Sequence, residues 1–485
     1  MDMLAASIDA FMAPLASALS AFVFFSISVF GQQVPLVVAW LAIGALFFTL
    51  YLRFINIRGF WLAVRHVRGD FKNPSAEGEI SHFRALATAI SGTVGVGNIG
   101  GVAVAISLGG AGAAFWLFVA GFLSMSTKLI ECTLGVKYRQ VHADGSVSGG
   151  PMYYLDGYFK ERNWPRIGRT LGGIYALALV IGCFGVGNMF QSNQAYQQML
   201  VITGGETSFL ADYSLLFGLV LAGIVGLVII GGITSIARVA AYIVPFMSGI
   251  YIIGCLVIIS LSWQNIPLAI STAVSSAFGA DAMAGGALGA LIMGFQRALF
   301  SNEAGLGSAS IAHSAVQTRS PASEGFVGLL EPFIDTVVVL TLSSLVILTT
   351  ALPHGLMGGG LSGIEVTSAA FAFHIPWSPY LIAFAAVLFA FSTALAWSYY
   401  GLQAWNYLVG VGKWRTLGFQ LVFLTFFALG CVLELKAVLD FSDAMIFLIA
   451  LPNLVALYLF APMVKREVEA YLRDTALINK VNRPH

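Results

Sequence analysis

Long apolar runs separated by short polar stretches dominate the chain. A helix crossing a bilayer needs about 20 mostly apolar residues. By that measure the pattern predicts eleven spans, near 34–55, 83–107, 112–136, 171–200, 213–233, 238–261, 285–312, 326–352, 366–400, 414–433 and 441–462. Residues 1–33 carry Asp2, Asp9, Pro14 and many serines, which suits an interfacial helix better than a twelfth span. Residues 463–485 mix both charge signs and read as a cytoplasmic helical tail. The expected fold class is an all-α integral membrane protein.

Two spans are interrupted by polar and small residues. SGTVGVGNIGG, Ser91 to Gly101, breaks the second span, and GFQRALFSNEAGLGSAS, Gly294 to Ser310, breaks the seventh. The first contains a literal G-x-G-x-x-G. A dinucleotide site, however, needs a strand before it and an acidic residue about 20 positions on. Here RALATAI precedes it, and position 120 is alanine. Each glycine costs a helix about 1 kcal/mol relative to alanine. Clustered at mid-span, they predict an opened helix lining a polar cavity, because freed backbone groups must find partners inside lipid. The breaks fall in spans two and seven, five spans apart, so the two broken helices run in opposite directions. This suggests inverted five-helix repeats over 83–261 and 285–462, with 34–82 as an extra helix and inner loop. An opened helix offers a positive new N-terminus for a carboxylate and carbonyl oxygens for Na⁺. A small amino acid with a cation matches that pair.

Composition agrees that lipid is the solvent. The chain is 58% hydrophobic and 10% charged, against about 25% charged in soluble domains. A net charge of +1 gives no argument for nucleic acid. With the N-terminus outside and the C-terminus cytoplasmic, 21 of the 24 Lys and Arg residues fall in inner loops, at span ends facing them, or in the tail. Outer loops hold Glu206, Asp212, Asp281, Glu365, Glu434 and Asp440. Cys132, Cys183, Cys255 and Cys431 are scattered through apolar runs and form no disulfide framework. The N-terminus lacks the basic residues of a cleaved signal. No phosphate-binding G-x-x-x-x-G-K-[ST] string occurs, so ATP-driven transport is not indicated.

The motifs SGTVGVGNIGGVAVAI, GGAGAAFW, SGGPMYY and FSNEAGLGSASIAH, in that order, resemble the alanine or glycine:cation symporter family over roughly residues 35–465. The resemblance implies a leucine-transporter-like fold and Na⁺-coupled uptake of alanine, glycine or both, with D-alanine for some members, across a cytoplasmic membrane. No enzymatic cofactor is implied; Na⁺ is the coupling ion, and the bilayer and the amino acid are the partners. It further implies that Thr93, Gly95, Gly97 and Asn98 of the first break, and Phe300, Ser301, Asn302 and Gly305 of the second, surround the substrate. Gln191 and Trp397 would complete the pocket. Carbonyls from Ala89 to Gly92 and hydroxyls of Ser392 and Thr393 would hold Na⁺.

Other polar residues have simpler expected roles. Asn188 and Gln191 share a helix face and both read as site-lining, while Gln194, Gln197 and Gln198 read as solvated amides at a frayed end. Lys128 and Glu131 are spaced to pair with each other. Glu303 sits at mid-membrane, where a carboxylate is costly; it could pair with Arg297, stay protonated or carry a coupling proton. His82, His142 and His313 read as solvated, and SGGPMYYLDGYF as a helix lying on the membrane. A proton-coupled carrier of the same fold and a small-solute channel are the alternative functions. A membrane enzyme is disfavoured, because the spans hold no nucleophile–base pattern or paired metal ligands.

Overall fold

The computed structural model describes residues 14, 17–29, 31–71, 75–279, 286–357, 361, 363–433 and 435–481. Lys72, Asp281, Glu434, Arg483 and residues 1–13, all used in the sequence reading, lie outside them. Residues 17–23 are helical, but the expected interfacial helix does not continue to 33. Alternating Ser-Ile-Ser-Val favours a strand, and β1 (Ser26–Val29) pairs antiparallel with β2 (Gln32–Pro35). Gly31, at φ +81°, makes the turn between them.

Pro35 then starts α1 (Leu36–Tyr51). An amphipathic helix, α2 (Phe60–Arg68), follows. The second span is bent by 44° at a break between α3 (His82–Thr93) and α4 (Gly97–Gly109). Next comes α5 (Gly112–Lys137), whose lower half is buried all round. A short hairpin and α6 (Pro151–Glu161) form the long inner loop. Five more helices follow: α7 (Pro165–Thr203), α8 (Ala211–Ile229), α9 (Gly232–Leu261), α10 (Ile266–Phe278) and α11 (Gly286–Asn302). The second break separates α11 from α12 (Ala309–Ser314). Then come α13 (Pro321–Ala351), α14 (Ile364–His374), α15 (Ser378–Val409), α16 (Lys413–Gly430) and α17 (Leu435–Val481).

Length and apolarity single out seven membrane-crossing helices among the described residues, and eight with the bent pair. The other predicted spans fall on the 16-residue α1, the 18-residue α16 and the second broken helix. The predicted span at 366–400 is divided. α14 ends at His374, just before Ile375-Pro376, because a residue preceding proline avoids the helical region; α15 then runs from Ser378 to Val409. Helix α6 also differs from expectation. Tyr154 and Leu155 are wholly buried, so it is packed into the protein rather than laid on lipid.

Helix α11 packs on α4, and α12 packs on α3. The leading half of each broken helix thus lies against the trailing half of the other, and the two run antiparallel. Around them, α8 and α9 turn Leu227, Ile230 and Tyr242 outward, as a lipid-facing surface requires.

Candidate functional site

The first break leaves room beside its backbone. From 85 to 100, Gly97 alone is partly exposed; the rest are buried. A Cβ at Gly97 would reach only Phe300 and Phe190, at 3.8 and 3.9 Å. Those rings meet edge to face with centroids 5.8 Å apart. No side chain caps the helix start at Gly97; the N–H groups of Asn98, Ile99 and Gly100 donate to Gly95 O and Val96 O, which leaves the Gly97 N–H as the group to meet an anion.

Side chains from distant helices hold the break open. Val96 N donates to Gln191 Oε1 at 3.0 Å, and Gly95 N to Asn98 Oδ1 at 2.9 Å. A Cβ at Gly95 would lie 2.9 Å from both Gln191 Oε1 and Thr393 Oγ1, so any larger residue would displace one of them. Gln191 reaches the break because α7 carries a π-helical turn at Gly185–Met189. Its Nε2 donates back to Val186 O at 2.9 Å. Trp397 lies across that turn: a Cβ at Gly187 would come within 1.9 Å of its Cγ. The indole N–H donates to Gly92 O at 3.3 Å and to Glu303 Oε1 at 3.0 Å. Trp397 is therefore a buried wall joining both breaks, and not an interfacial anchor.

The second break is wired internally. Glu303 takes φ +56° and Gly305 φ +93°. Asn453 Nδ2 donates to Gly305 O, Tyr175 Oη to Leu306 O, and Gly307 N to Glu131 Oε1, at 2.8, 2.8 and 2.9 Å. Gly305 faces Leu41 of α1, 2.3 Å from where a Cβ would stand, so its side turns away from Gly97. Only the upper edge of this break, Phe300 to Asn302, meets the first.

Between the two breaks lies a group that the motif reading passed over. Asp335 is fully buried in a π-helical stretch, Phe333–Leu340. Its carboxylate accepts from Asn98 Nδ2 at 2.6 Å, from Ser301 Oγ at 3.0 Å and from Thr336 Oγ1 at 2.7 Å. Thr336 Oγ1 in turn accepts from Asn302 Nδ2 at 3.0 Å. Every donor is neutral, and no ion pair reaches Asp335 among the described residues. A buried carboxylate without a counter-charge calls for a proton or a cation, and a cluster rich in hard oxygens suits Na⁺. The signal was present: Glu324, Glu331 and Asp335 sit in an apolar span just as Glu303 does, and the same cost argument applies to each.

Several expected contacts are replaced by others. Asn188 leaves the pocket and donates to Phe423 O at 2.8 Å, since the π turn rotates it away from Gln191. Gln194 and Gln198 are buried, and Gln198 Nε2 donates to Ser368 Oγ at 3.0 Å. Lys128 pairs with Glu331 at 3.0 Å, not with Glu131. Arg297 pairs with Asp443 of α17, over the Phe300 ring, and not with Glu303. Glu303 accepts instead from Ser308 Oγ and Trp397. His82 and His313 are buried on Glu324 rather than solvated, whereas His142 bonds Ser148 Oγ at 2.9 Å in the inner hairpin. Of the expected Na⁺ ligands, Ser392 bonds back to Phe389 O at 3.1 Å, as helical serines often do. Thr93 likewise bonds Ala89 O at 3.3 Å, and Gly92 O holds Trp397. Thr393 Oγ1 is buried with no partner and faces Gly95.

Residues 18–482 match the model of the sodium:alanine symporter family. The chain is 38% identical to the sodium/alanine symporter AgcS of Methanococcus maripaludis, over 88% of this chain and 92% of that one. It is 32% identical to the probable sodium/glutamine symporter GlnT of Bacillus subtilis, over 90% and 88%. Among solved structures, MhsT in complex with L-phenylalanine aligns with TM-score 0.56 at 15% identity, covering 81% of this chain and 99% of that one. At that identity the likeness speaks for the fold alone, a leucine-transporter-like one.

Proposed function

The chain belongs to the sodium:alanine symporter family, and we propose that it carries alanine or glycine into the cell together with Na⁺ by alternating access. The carrying observation is the juxtaposition at the first break: a reachable backbone at Gly97 beside a buried carboxylate, Asp335, whose partners are all neutral. The substrate carboxylate would meet the helix start at Gly97, and its side chain would lie against Phe190 and Phe300. Phe190 and Phe300, 3.9 and 3.8 Å from a Cβ at Gly97, would bound the side chain closely and favour small substrates by exclusion. Na⁺ would sit at Asp335 with the hydroxyl oxygens of Ser301 and Thr336, and with Thr393 as a further hydroxyl.

Binding at this junction involves both broken helices at once, so it biases the balance between outward- and inward-open forms. Arg297–Asp443 closes the outer end, and the contacts around Arg139 close the inner one. The basic loops support a cytoplasmic C-terminus and a cell-membrane location. Spans 83–261 and 285–462 would act as inverted repeats.

Uptake of labelled alanine into proteoliposomes tests this. Accumulation is expected with an inward Na⁺ gradient, and not with K⁺ plus an imposed pH gradient. Unlabelled glycine and D-alanine should compete if the pocket selects on size. Gly95→Leu and Asn302→Ala should abolish uptake while the protein still inserts. Accumulation driven by the pH gradient alone would replace Na⁺ with H⁺ as the coupling ion.

A further inference from the structure

Below the second break, a single carboxylate joins the inner halves of both broken helices. Glu324 Oε1 lies 2.5 Å from His313 Nδ1 on α12, and Glu324 Oε2 meets His82 Nδ1 at the start of α3. All three side chains are buried. The backbones around them are fastened too. Glu79 N donates to Ala315 O at 2.7 Å, and Gln317 N to Ile80 O at 2.8 Å. Arg139 donates to Glu77 O on one segment, and to Ser314, Val316 and Thr318 carbonyls on the other.

The other edge of His313 makes this fastening conditional. Its Nε2 lies 3.9 Å from Glu331 Oε2, and neither atom has a hydrogen-bond partner. With Nδ1–H given to Glu324, a neutral His313 turns a lone pair toward a carboxylate. Two buried acceptors facing each other without a donor are costly. A proton on Nε2 converts the contact into a charge-assisted attraction. We infer that His313 is a proton-binding site, and that a proton taken from the cytoplasm locks the inner halves of both broken helices together.

The surroundings support this placement. From α5, Lys128 already holds Glu331 Oε1 at 3.0 Å, so only Oε2 is left for His313. Glu131 and the Cys132 thiol complete that face; Glu131 Oε1 accepts from Gly307 N and Asn453 Nδ2, and its Oε2 is buried without a hydrogen-bond partner. Helix α15 contributes the phenols of Tyr399 and Tyr400, and Glu303 is held by Ser308 and Trp397. Arg139 lies over the end of α12. On the cytoplasmic side of His82 stands His66 of α2, whose Nε2 is 2.9 Å from Tyr471 Oη, with Arg65 and Asp70 near it. Burial first, and then His82, lowers His66 to about 4, so it stays neutral at cytoplasmic pH. His82, 7% exposed, is the least buried of the three. Gain of the proton closes the inner end. Its loss sets His313 against Glu331 and favours parting of the two halves. Acid on the cytoplasmic side therefore slows release of substrate to the inside.

The inference rests on the alternating-access reading above. The test uses the full chain in liposomes, with the Na⁺ gradient and the pH on the opposite side held constant. The side bearing the C-terminal tail is identified by protease access. Raising pH on that side from 6 to 8 is expected to increase the initial rate of alanine uptake, by at least about twofold. The same change on the opposite side should have little effect. His313→Gln should flatten the profile while alanine exchange at pH 8 stays as in the wild type. A flat wild-type profile overturns the inference with no variant needed, and so does a His313→Gln profile that follows the wild type. Where His313→Gln loses exchange at pH 8, His82→Gln takes its place, and an unchanged pH profile in that variant is equally fatal. Na⁺-driven uptake with a flat profile removes only the proton site. Absence of Na⁺-driven uptake at every pH removes the transport reading, and the proton site with it.

Discussion

Asn98 Nδ2 donates to Asp335 Oδ1 at 2.6 Å across 237 positions of sequence. The bond ties the first broken helix to the π-helical stretch of α13, and it places a carboxylate with no basic partner between the two breaks. Asp335→Asn keeps an acceptor for Asn98 and Ser301 but removes the charge. The Na⁺ concentration for half-maximal uptake should then rise at least about tenfold, a change of about 1.4 kcal/mol. An unchanged Na⁺ dependence, measured in proteoliposomes, would place the cation elsewhere.

Gly187 and Gly101 make a matched pair of tests. A Cβ at Gly187 would stand 1.9 Å from Trp397 Cγ, whose indole is held by Gly92 and Glu303. Gly187→Ala should therefore destabilise by about 1–3 kcal/mol, the range for overpacking, and lose uptake. At Gly101 nothing lies within 4 Å, so Gly101→Ala should raise thermal stability slightly, by up to about 1 kcal/mol. Thermal unfolding in detergent separates the two; equal effects would argue against the close approach of Trp397 to α7.

Lys128 and Glu331 are both wholly buried and 3.0 Å apart. Removing one partner leaves an uncompensated charge. Lys128→Met or Glu331→Gln alone should cost about 3–5 kcal/mol. The double replacement should recover a large part of that loss. Additive melting-temperature shifts across the cycle would show that the pair does not act as one unit.

His66 lies outside the spans, and burial lowers it from its ordinary 6.5 to about 4. The unfolded chain takes up a proton below about 6.5 that the folded chain refuses until about 4. Its contribution is thus complete above pH 6.5 and is lost as pH falls toward 4, by up to about 3 kcal/mol. His66→Gln should lose less stability than the wild type over that window. Parallel acid-melting curves for the two proteins would rule out a neutral buried His66.

The apolar runs and glycine clusters determined by themselves that the chain crosses a membrane with two opened helices. Chain length in lipid and the cost of freed backbone are local matters, readable along one segment. The expectation that Phe300 to Asn302 and Gln191 approach the first break came from the family resemblance and not from local spacing; the structure sets Phe300 beside Gly97 and Gln191 Oε1 on Val96 N. What the other polar groups touch was decided only by packing. Lys128 stands three residues from Glu131 yet pairs with Glu331, 203 positions away. His313 looked like a loop residue until α13 brought Glu324 and Glu331 against it. Asn188 left the site because a π turn, invisible in helical spacing, rotated it onto Phe423. In a low-dielectric interior each buried charge takes whichever partner the tertiary fold delivers, and sequence distance says nothing about which one arrives.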